Sequence, residues 1–261
     1  MTTLAAPPAS ALRSGVVYWW HSYRMMLRWE MVSLRMVLVI TVIVQILTGA
    51  GFVLALGLFF GTVPPRAALF VSTGVLVITL ITIGLVLGPQ LVAMQKAEKT
   101  YDFLWSLPVP RTTAALAWVT TNLILGLPGM AVALGVALLR YDLDLHLSWA
   151  VIPAVLLTLF TGTMVGYALA HALGNPMLVA AITQMLIFVI IGFSPINFPA
   201  DQLPGWLATL HRWLPLAPMA DIVRAGLTEG VVEGVARSYL VLGTWAVASV
   251  GISAAVLGRR G

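Results

Sequence analysis

RAALFVSTGVLVITLITIGLVLGPQLVAMQK, residues 66–96, begins and ends on a base and holds 29 residues between them without an acid or a base. An α-helix crosses the hydrocarbon core of a bilayer with about 20 predominantly apolar residues. This stretch is long enough to cross, and nothing in it requires water. Comparable runs lie on either side. There are 30 uncharged residues between Arg35 and Arg66, 28 between Arg111 and Arg140, 56 between Asp144 and Asp201, and 21 between Arg237 and Arg259. Gly174-Asn175-Pro176 divides the longest run in two. Six spans are therefore expected, near 36–61, 67–94, 113–139, 150–172, 176–194 and 238–258.

The composition of the whole chain agrees. It has 261 residues, 60% hydrophobic and only 9% charged, against about 25% charged in an ordinary soluble domain. Too few charges remain to build a water-facing surface, so the expected fold class is an all-α integral membrane protein. The net charge of +5 does not point to nucleic acid, because the bases form no dense stripe and most flank apolar runs. With no cysteine, disulfides, thiolate metal sites and cysteine nucleophiles are excluded.

Six spans place both termini on one side. That side carries Arg13, Arg24, Arg28, Arg35, Lys96, Lys99, Arg111, Arg259 and Arg260, nine bases. The other carries Arg66, Arg140, Arg212, Arg224 and Arg237, five. The positive-inside rule makes the first side cytoplasmic and the protein a multi-pass resident of the cell membrane. Residues 1–14, with Pro7 and Pro8, read as a flexible cytoplasmic tail, and 259–261 as a cytoplasmic C-terminus. Residues 15–35 read as an amphipathic helix in the cytoplasmic interface, with a cytoplasmic extension of the first span as the alternative. His21, Arg24, Arg28 and Arg35 mark its polar face; Trp19, Tyr23, Met26, Leu27 and Leu34 lie opposite, with Glu30 as a misfit among them.

The spans contain no Asp, Glu, Lys or Arg, which argues against a self-energised ion-coupled pump, since such pumps keep ionisable groups inside the bundle. Neither Lys96 nor Lys99 follows a glycine, so there is no phosphate-binding G-K-S/T element and the chain does not hydrolyse ATP by that route. His21, His146, His171 and His211 are scattered and form no H-E-x-x-H pair, and no G-x-S-x-G occurs. No catalytic or metal-ligating residue is expected. The polar groups within the spans, Gln45, Ser72, Gln90, Thr120, Thr121, Asn122, Thr161, Tyr167, Thr183 and Gln184, are neutral. Most serve as interhelical hydrogen-bonding groups; Gln45, Asn122, Thr183 and Gln184 are the candidates for a weakly polar substrate path. Gly57/Gly61 and Gly162/Gly166 form G-x-x-x-G pairs that permit close helix approach.

Two stretches between spans stand out. In KAEKTYDFLWSLPVPR, 96–111, three helical turns are expected up to the prolines, a helix over 96–108. Tyr101, Leu104, Trp105 and Pro108 share one face, flanked by Glu98, Lys99 and Asp102; such a stripe suits either a partner's groove or the lipid interface. In FSPINFPADQLPGWL, 193–207, three prolines and Asp201 interrupt an apolar segment that continues through Trp213, Pro215 and Arg224.

These two stretches resemble the ABC type-2 exporter permeases, the group that includes daunorubicin-resistance permeases. The first is similar to a family pattern E-x-T-L-x-x-L-L-x-T-P-V-x-R. Glu98, Thr100, Leu104, Trp105, Pro108, Val109 and Arg111 match, while Lys99 replaces a glycine, Tyr101 a leucine and Leu107 a threonine. The second is similar to F-P-x-x-x-L-P-G-W-L, followed by N-P and a later arginine. Phe198, Pro199, Leu203, Pro204, Gly205, Trp206, Leu207, Pro215 and Arg224 match, and Leu214 replaces the asparagine.

The resemblance implies a six-span domain over 36–258, with a coupling helix at 96–108 that docks a cytoplasmic ATP-binding-cassette subunit through Glu98, Thr100, Tyr101, Asp102, Leu104, Trp105, Pro108 and Arg111. It implies re-entrant helices at the outer face over 195–230 that act as a gate, with Phe198, Pro199, Leu203, Pro204, Trp206, Trp213, Pro215 and Arg224. ATP and Mg would sit on the partner, none on this chain, and a second permease copy or a homologous permease would complete the transporter among membrane lipids. The expected activity is export of an antibiotic-like or amphipathic compound. Export of a lipid or polysaccharide by the same fold, or a stand-alone channel or secondary carrier, are the alternatives.

Overall fold

The computed structural model describes residues 15–60, 64–141, 143 and 145–258, with backbone alone at 56, 57, 59, 60, 101, 102, 105 and 256–258. The expected tail over 1–14, the C-terminus over 259–261 and Gly61 lie outside the described residues. The described residues form helices joined by turns, with no strand among them. In chain order they are α1 (Val16–Ser33), α2 (Arg35–Phe60), α3 (Pro65–Ile81), a π-helical stretch (Thr82–Leu87), α4 (Gly88–Ala97), α5 (Thr100–Ser106), α6 (Arg111–Arg140), α7 (Val151–Leu173), α8 (Pro176–Gly192), a 3₁₀ turn (Ala200–Gln202), α9 (Gly205–His211), α10 (Leu216–Leu227) and α11 (Val235–Gly258).

Among the described residues, five helical runs are long and apolar enough to cross a membrane: α2, the continuous α3–π–α4 run, α6, α7 and α11. The sixth expected span, α8, has 17 residues, about 26 Å at 1.5 Å per residue, the short end of what crosses a bilayer. Its boundary with α7 follows the local chemistry. Gly174 takes φ 65° and ends α7, the left-handed position that glycine fills without penalty. Asn175 Oδ1 then accepts from the Met177 amide at 2.9 Å, and Pro176 opens α8 where a missing N–H costs nothing.

The α3–π–α4 run, Pro65–Ala97, is the central helix, with most of its length buried. It bears Pro89, whose ring clashes with the carbonyl four residues back and cannot donate to it. The helix absorbs the proline by widening, and Gly88 N–H bonds to the Ile83 carbonyl, five residues back. The widened turn is also where α7 comes closest. A Cβ on Gly166 would overlap the Gly84 carbonyl, and one on Gly84 would overlap the Gly162 backbone. The Gly162/Gly166 pair therefore seats α7 on the π turn. Similarly, a Cβ on Gly129 of α6 would lie 2.9 Å from Gln45 Cβ on α2. In lipid, where apolar helices gain little by leaving the solvent, such close backbone approach is what holds a bundle together.

Around this run, Val75, Leu80 and Ile81 pack with Leu159 of α7, Met219, Ile222 and Val223 of α10, and Leu242 of α11. By contrast α2 exposes Met36, Val39, Ile40, Ile43, Val44 and Leu47, an apolar face open to lipid or a neighbour.

Helix α1 packs on the first half of α6. Trp19 Nε1 donates to Thr112 Oγ1 at 2.9 Å, Tyr23 and Thr120 hydroxyls are 2.9 Å apart, and Tyr18 OH donates to the Pro108 carbonyl. His21, Arg24 and Arg28 are exposed, and Met26 is buried, as the amphipathic pattern requires. The misfit, Glu30, is buried as well.

Candidate functional site

The two stretches that carry the family-like patterns lie at opposite ends of the bundle. At one end, α5 follows α4 after a break. Glu98 ends α4, and Lys99 takes φ 59°, the only non-glycine positive φ among the described residues. The helix expected over 96–108 is thus two pieces. Lys96 and Ala97 finish α4, α5 covers Thr100–Ser106, and Leu107 turns extended ahead of the prolines. Lys99 stands where the similar pattern has glycine, and its backbone conformation explains that preference, since glycine alone reaches it without steric cost.

Glu98, Pro108 and Arg111 are exposed and Thr100 is half-buried. The side chains of Tyr101, Asp102 and Trp105 lie outside the described residues. Leu104 is half-buried and turns inward, lining a cavity with Leu107, Val109 and Arg111. Phe103, which the periodicity argument passed over, is 59% exposed and presents its ring at the surface of α5. Spacing alone could not find it, because it lies off the expected stripe by one residue.

The cavity behind α5 has a volume of about 510 Å³ and is walled by α1, α4, α6, α7 and α11. Glu30 faces it and accepts a hydrogen bond from Thr121 Oγ1. Burial pushes the Glu30 carboxyl up from its usual 4.5 to about 7, partly offset by the Thr121 bond. Nearby, Lys96 Nζ donates to the Ala170 carbonyl at 3.1 Å and fastens α4 to α7.

At the far end, the chain from Phe193 to Leu227 divides into two layers. The inner layer is α10, buried except for the half-buried Asp221 and Ala225, with the buried Ser194–Ile196. Gly74 of α3 admits it, for a Cβ there would lie 2.5 Å from the Ile196 carbonyl. Arg224, 2% exposed, donates from Nε to Thr73 Oγ1 at 3.0 Å and from Nη2 to the Ile196 carbonyl at 2.5 Å. Its guanidinium lies 4.1 Å from the Phe70 ring centroid. Burial lowers its pKa to about 10, and the Asp221 carboxylate works against that shift. Asp221 itself is raised by burial, with Arg224 and a 3.1 Å bond from Ser238 Oγ opposing.

The outer layer is the 3₁₀ turn and α9. Phe198, Pro199 and Leu203 are half-buried, Pro204 is exposed, and Trp206 and Trp213 are 71% and 62% exposed. The eight expected gate residues therefore form two sets, with buried Pro215 and Arg224 in the inner layer and the others above. Trp213 is held by its carbonyl, which accepts from Trp245 Nε1 at 2.8 Å, and by Arg237, 5.0 Å from its ring centroid. Between the layers lies a polar cavity of about 670 Å³ lined by Arg66, Asp201, His211, Asp221, Arg224 and Arg237 among others.

The candidate path residues make no hydrogen bond to one another among the described residues. Gln45 Nε2 donates to the Thr79 carbonyl at 2.7 Å. Asn122 Nδ2 donates to the Trp118 carbonyl at 2.8 Å within α6. Thr183 accepts from Gln90 Nε2 at 2.7 Å, and Gln184 is exposed. Gln45 and Thr183 act as ties between helices.

The sequence pattern of the family described as ABC-2 family transporter protein matches residues 64–255, well over half of the chain. No curated protein matches it.

Proposed function

The chain belongs to the ABC-2 family of transporter proteins and is a membrane-spanning permease subunit; from that premise we propose that it exports an amphipathic, antibiotic-like compound, driven by a separate cytoplasmic ATPase. The observation that carries this reading is the separation of α5 and α9–α10 to opposite ends of one bundle. The partner ATPase, with its ATP and Mg, docks at α5, where Phe103 is exposed. The α5 end and both termini are cytoplasmic in this reading, following the excess of bases at that end. At the outer face, α9 with Trp206 and Trp213 covers the polar cavity as a gate, and the tryptophans rest in the lipid interface. The exposed apolar face of α2 meets lipid or a second permease copy.

The test is reconstitution of this permease with the ATP-binding-cassette subunit that co-purifies with it, in inside-out proteoliposomes. ATP-dependent accumulation of at least one amphipathic compound from a panel is the expected result. No accumulation of any compound, with the two proteins assembled and ATP being hydrolysed, would reject drug-type export.

A further inference from the structure

The cavity behind α5 contains a charge-bearing group that packing does not explain. Glu30 is 6% exposed. Its carboxylate accepts from Thr121 Oγ1, and among the described residues no ion pair reaches it. A buried carboxylate without a cation is expensive, and the group relieves that cost either by holding a proton or by gaining a cationic partner. The surrounding wall is apolar and aromatic, with Met26, Val92, Met164, Trp118 and Tyr167. Gln95 of α4 and Ser253 of α11 add neutral polar groups, and Arg111 lies at the exposed start of α6, where solvent and salt screen it. The volume, about 510 Å³, falls within the roughly 300–1,000 Å³ of small-molecule pockets.

We propose that this cavity binds an amphipathic organic cation, with Glu30 as its counter-ion and Trp118 and Tyr167 as walls for its apolar body. An anion would meet the carboxylate with like charge. A neutral amphiphile would leave that carboxylate dry and unpaired, whereas a cation restores its charge balance and gains from the aromatic faces. The residues that line the cavity come from α1, α4, α5, α6, α7 and α11 of this chain. The proposal rests on the reading of the α5 end as the loading side of an exporter and names the class of cargo, but binding itself requires no ATPase.

The experiment uses the full chain in phosphatidylcholine nanodiscs and measures tetraphenylphosphonium binding by equilibrium dialysis, with empty nanodiscs as the blank. Tetraphenylborate, of the same shape and opposite charge, is the competitor. The expected result is saturable binding of one cation per chain, weakened at least tenfold by Glu30→Gln and not displaced by tetraphenylborate. In the unaltered protein, binding tightens between pH 6 and pH 8 as Glu30 ionises. Arg111 from α6 and Tyr167 from α7 are the other titratable groups on the walls; loss of the pH dependence in Glu30→Gln assigns it to Glu30. Absence of saturable binding, equal binding of both ions as in a lipid-filled apolar cleft, or a flat pH profile would overturn the site. Binding without ATP-driven export would leave the site and remove the transport reading; export without binding would do the reverse.

Discussion

Arg224 on α10 and Thr73 on α3 are 151 residues apart in sequence and joined by a 3.0 Å hydrogen bond from Nε to Oγ1. With the bond to the Ile196 carbonyl, one guanidinium ties the central helix, the 194–196 turn and α10 together. Removing one partner from a buried charged network costs about 3–5 kcal/mol, because the other partners stay buried and unsatisfied. Arg224→Met should therefore melt well below wild type in detergent. Arg224→Lys keeps the charge but not the fork, and should fall between the two. A melting temperature for Arg224→Met equal to wild type would show that the network holds nothing.

Glu30 sets a pH dependence of stability. Its pKa is raised by burial to about 7, so the folded state holds a proton that the unfolded chain releases near 4.5. Stability is then greatest below pH 4.5, falls as pH rises toward 7, and levels off above; the full change is roughly 3 kcal/mol. Glu30→Gln keeps the bond from Thr121 and removes the charge. It should raise the melting temperature at pH 8 and change it little at pH 5. Equal effects at both pH values would contradict the assignment.

Lys99 carries φ 59° where a glycine would be unstrained. Lys99→Gly should leave the protein as stable as before or raise stability by up to about 1 kcal/mol. Lys99→Ile, β-branched at the same position, should lower it by about 1–2 kcal/mol. Thermal melting of the two variants beside wild type settles the order.

On α5, Phe103 is exposed and Leu104 turns into the cavity. If α5 docks the ATPase, Phe103→Ala should weaken the partner's affinity by about 2 kcal/mol, roughly thirtyfold. Trp105→Ala should act in the same direction. Leu104→Ala should reduce cation binding more than ATPase affinity. Subunit affinity in detergent at fixed salt, with membrane expression and monodispersity as controls, distinguishes these outcomes.

Much of this architecture can be read from charge spacing. The uncharged run between Arg66 and Lys96 is the buried central helix, and Gly174-Asn175-Pro176 ends one helix and starts the next at the expected place. Such features are local: a cap, a proline and a length of apolar chain. What sequence reasoning missed depends on distant partners. Glu30 reads as a misfit in α1 until Thr121, 91 residues away, is seen beside it. The π turn at 82–87 breaks no periodicity, yet it arises from Pro89 and is fixed by Gly162 and Gly166 of another helix. The helix expected over 96–108 divides because Lys99 adopts a conformation that composition does not announce. Of the candidate site residues, those at α5 and those around α10 could be placed at opposite ends by topology, but the division of the expected gate residues into buried and exposed layers comes from tertiary contacts at Gly74 and Thr73.

The most direct measurement is site-specific crosslinking to the ATPase. The chain has no cysteine, so one can be placed at position 103 on α5 and, separately, at 210 on α9, where Leu210 is also exposed. Each variant is assembled with the ATPase and treated with a short thiol-to-amine crosslinker. Docking at α5 predicts a permease–ATPase adduct from position 103 and none from position 210. An adduct from position 210, or none from position 103 in an assembled and ATP-hydrolysing complex, would contradict docking at α5 and the orientation built on it.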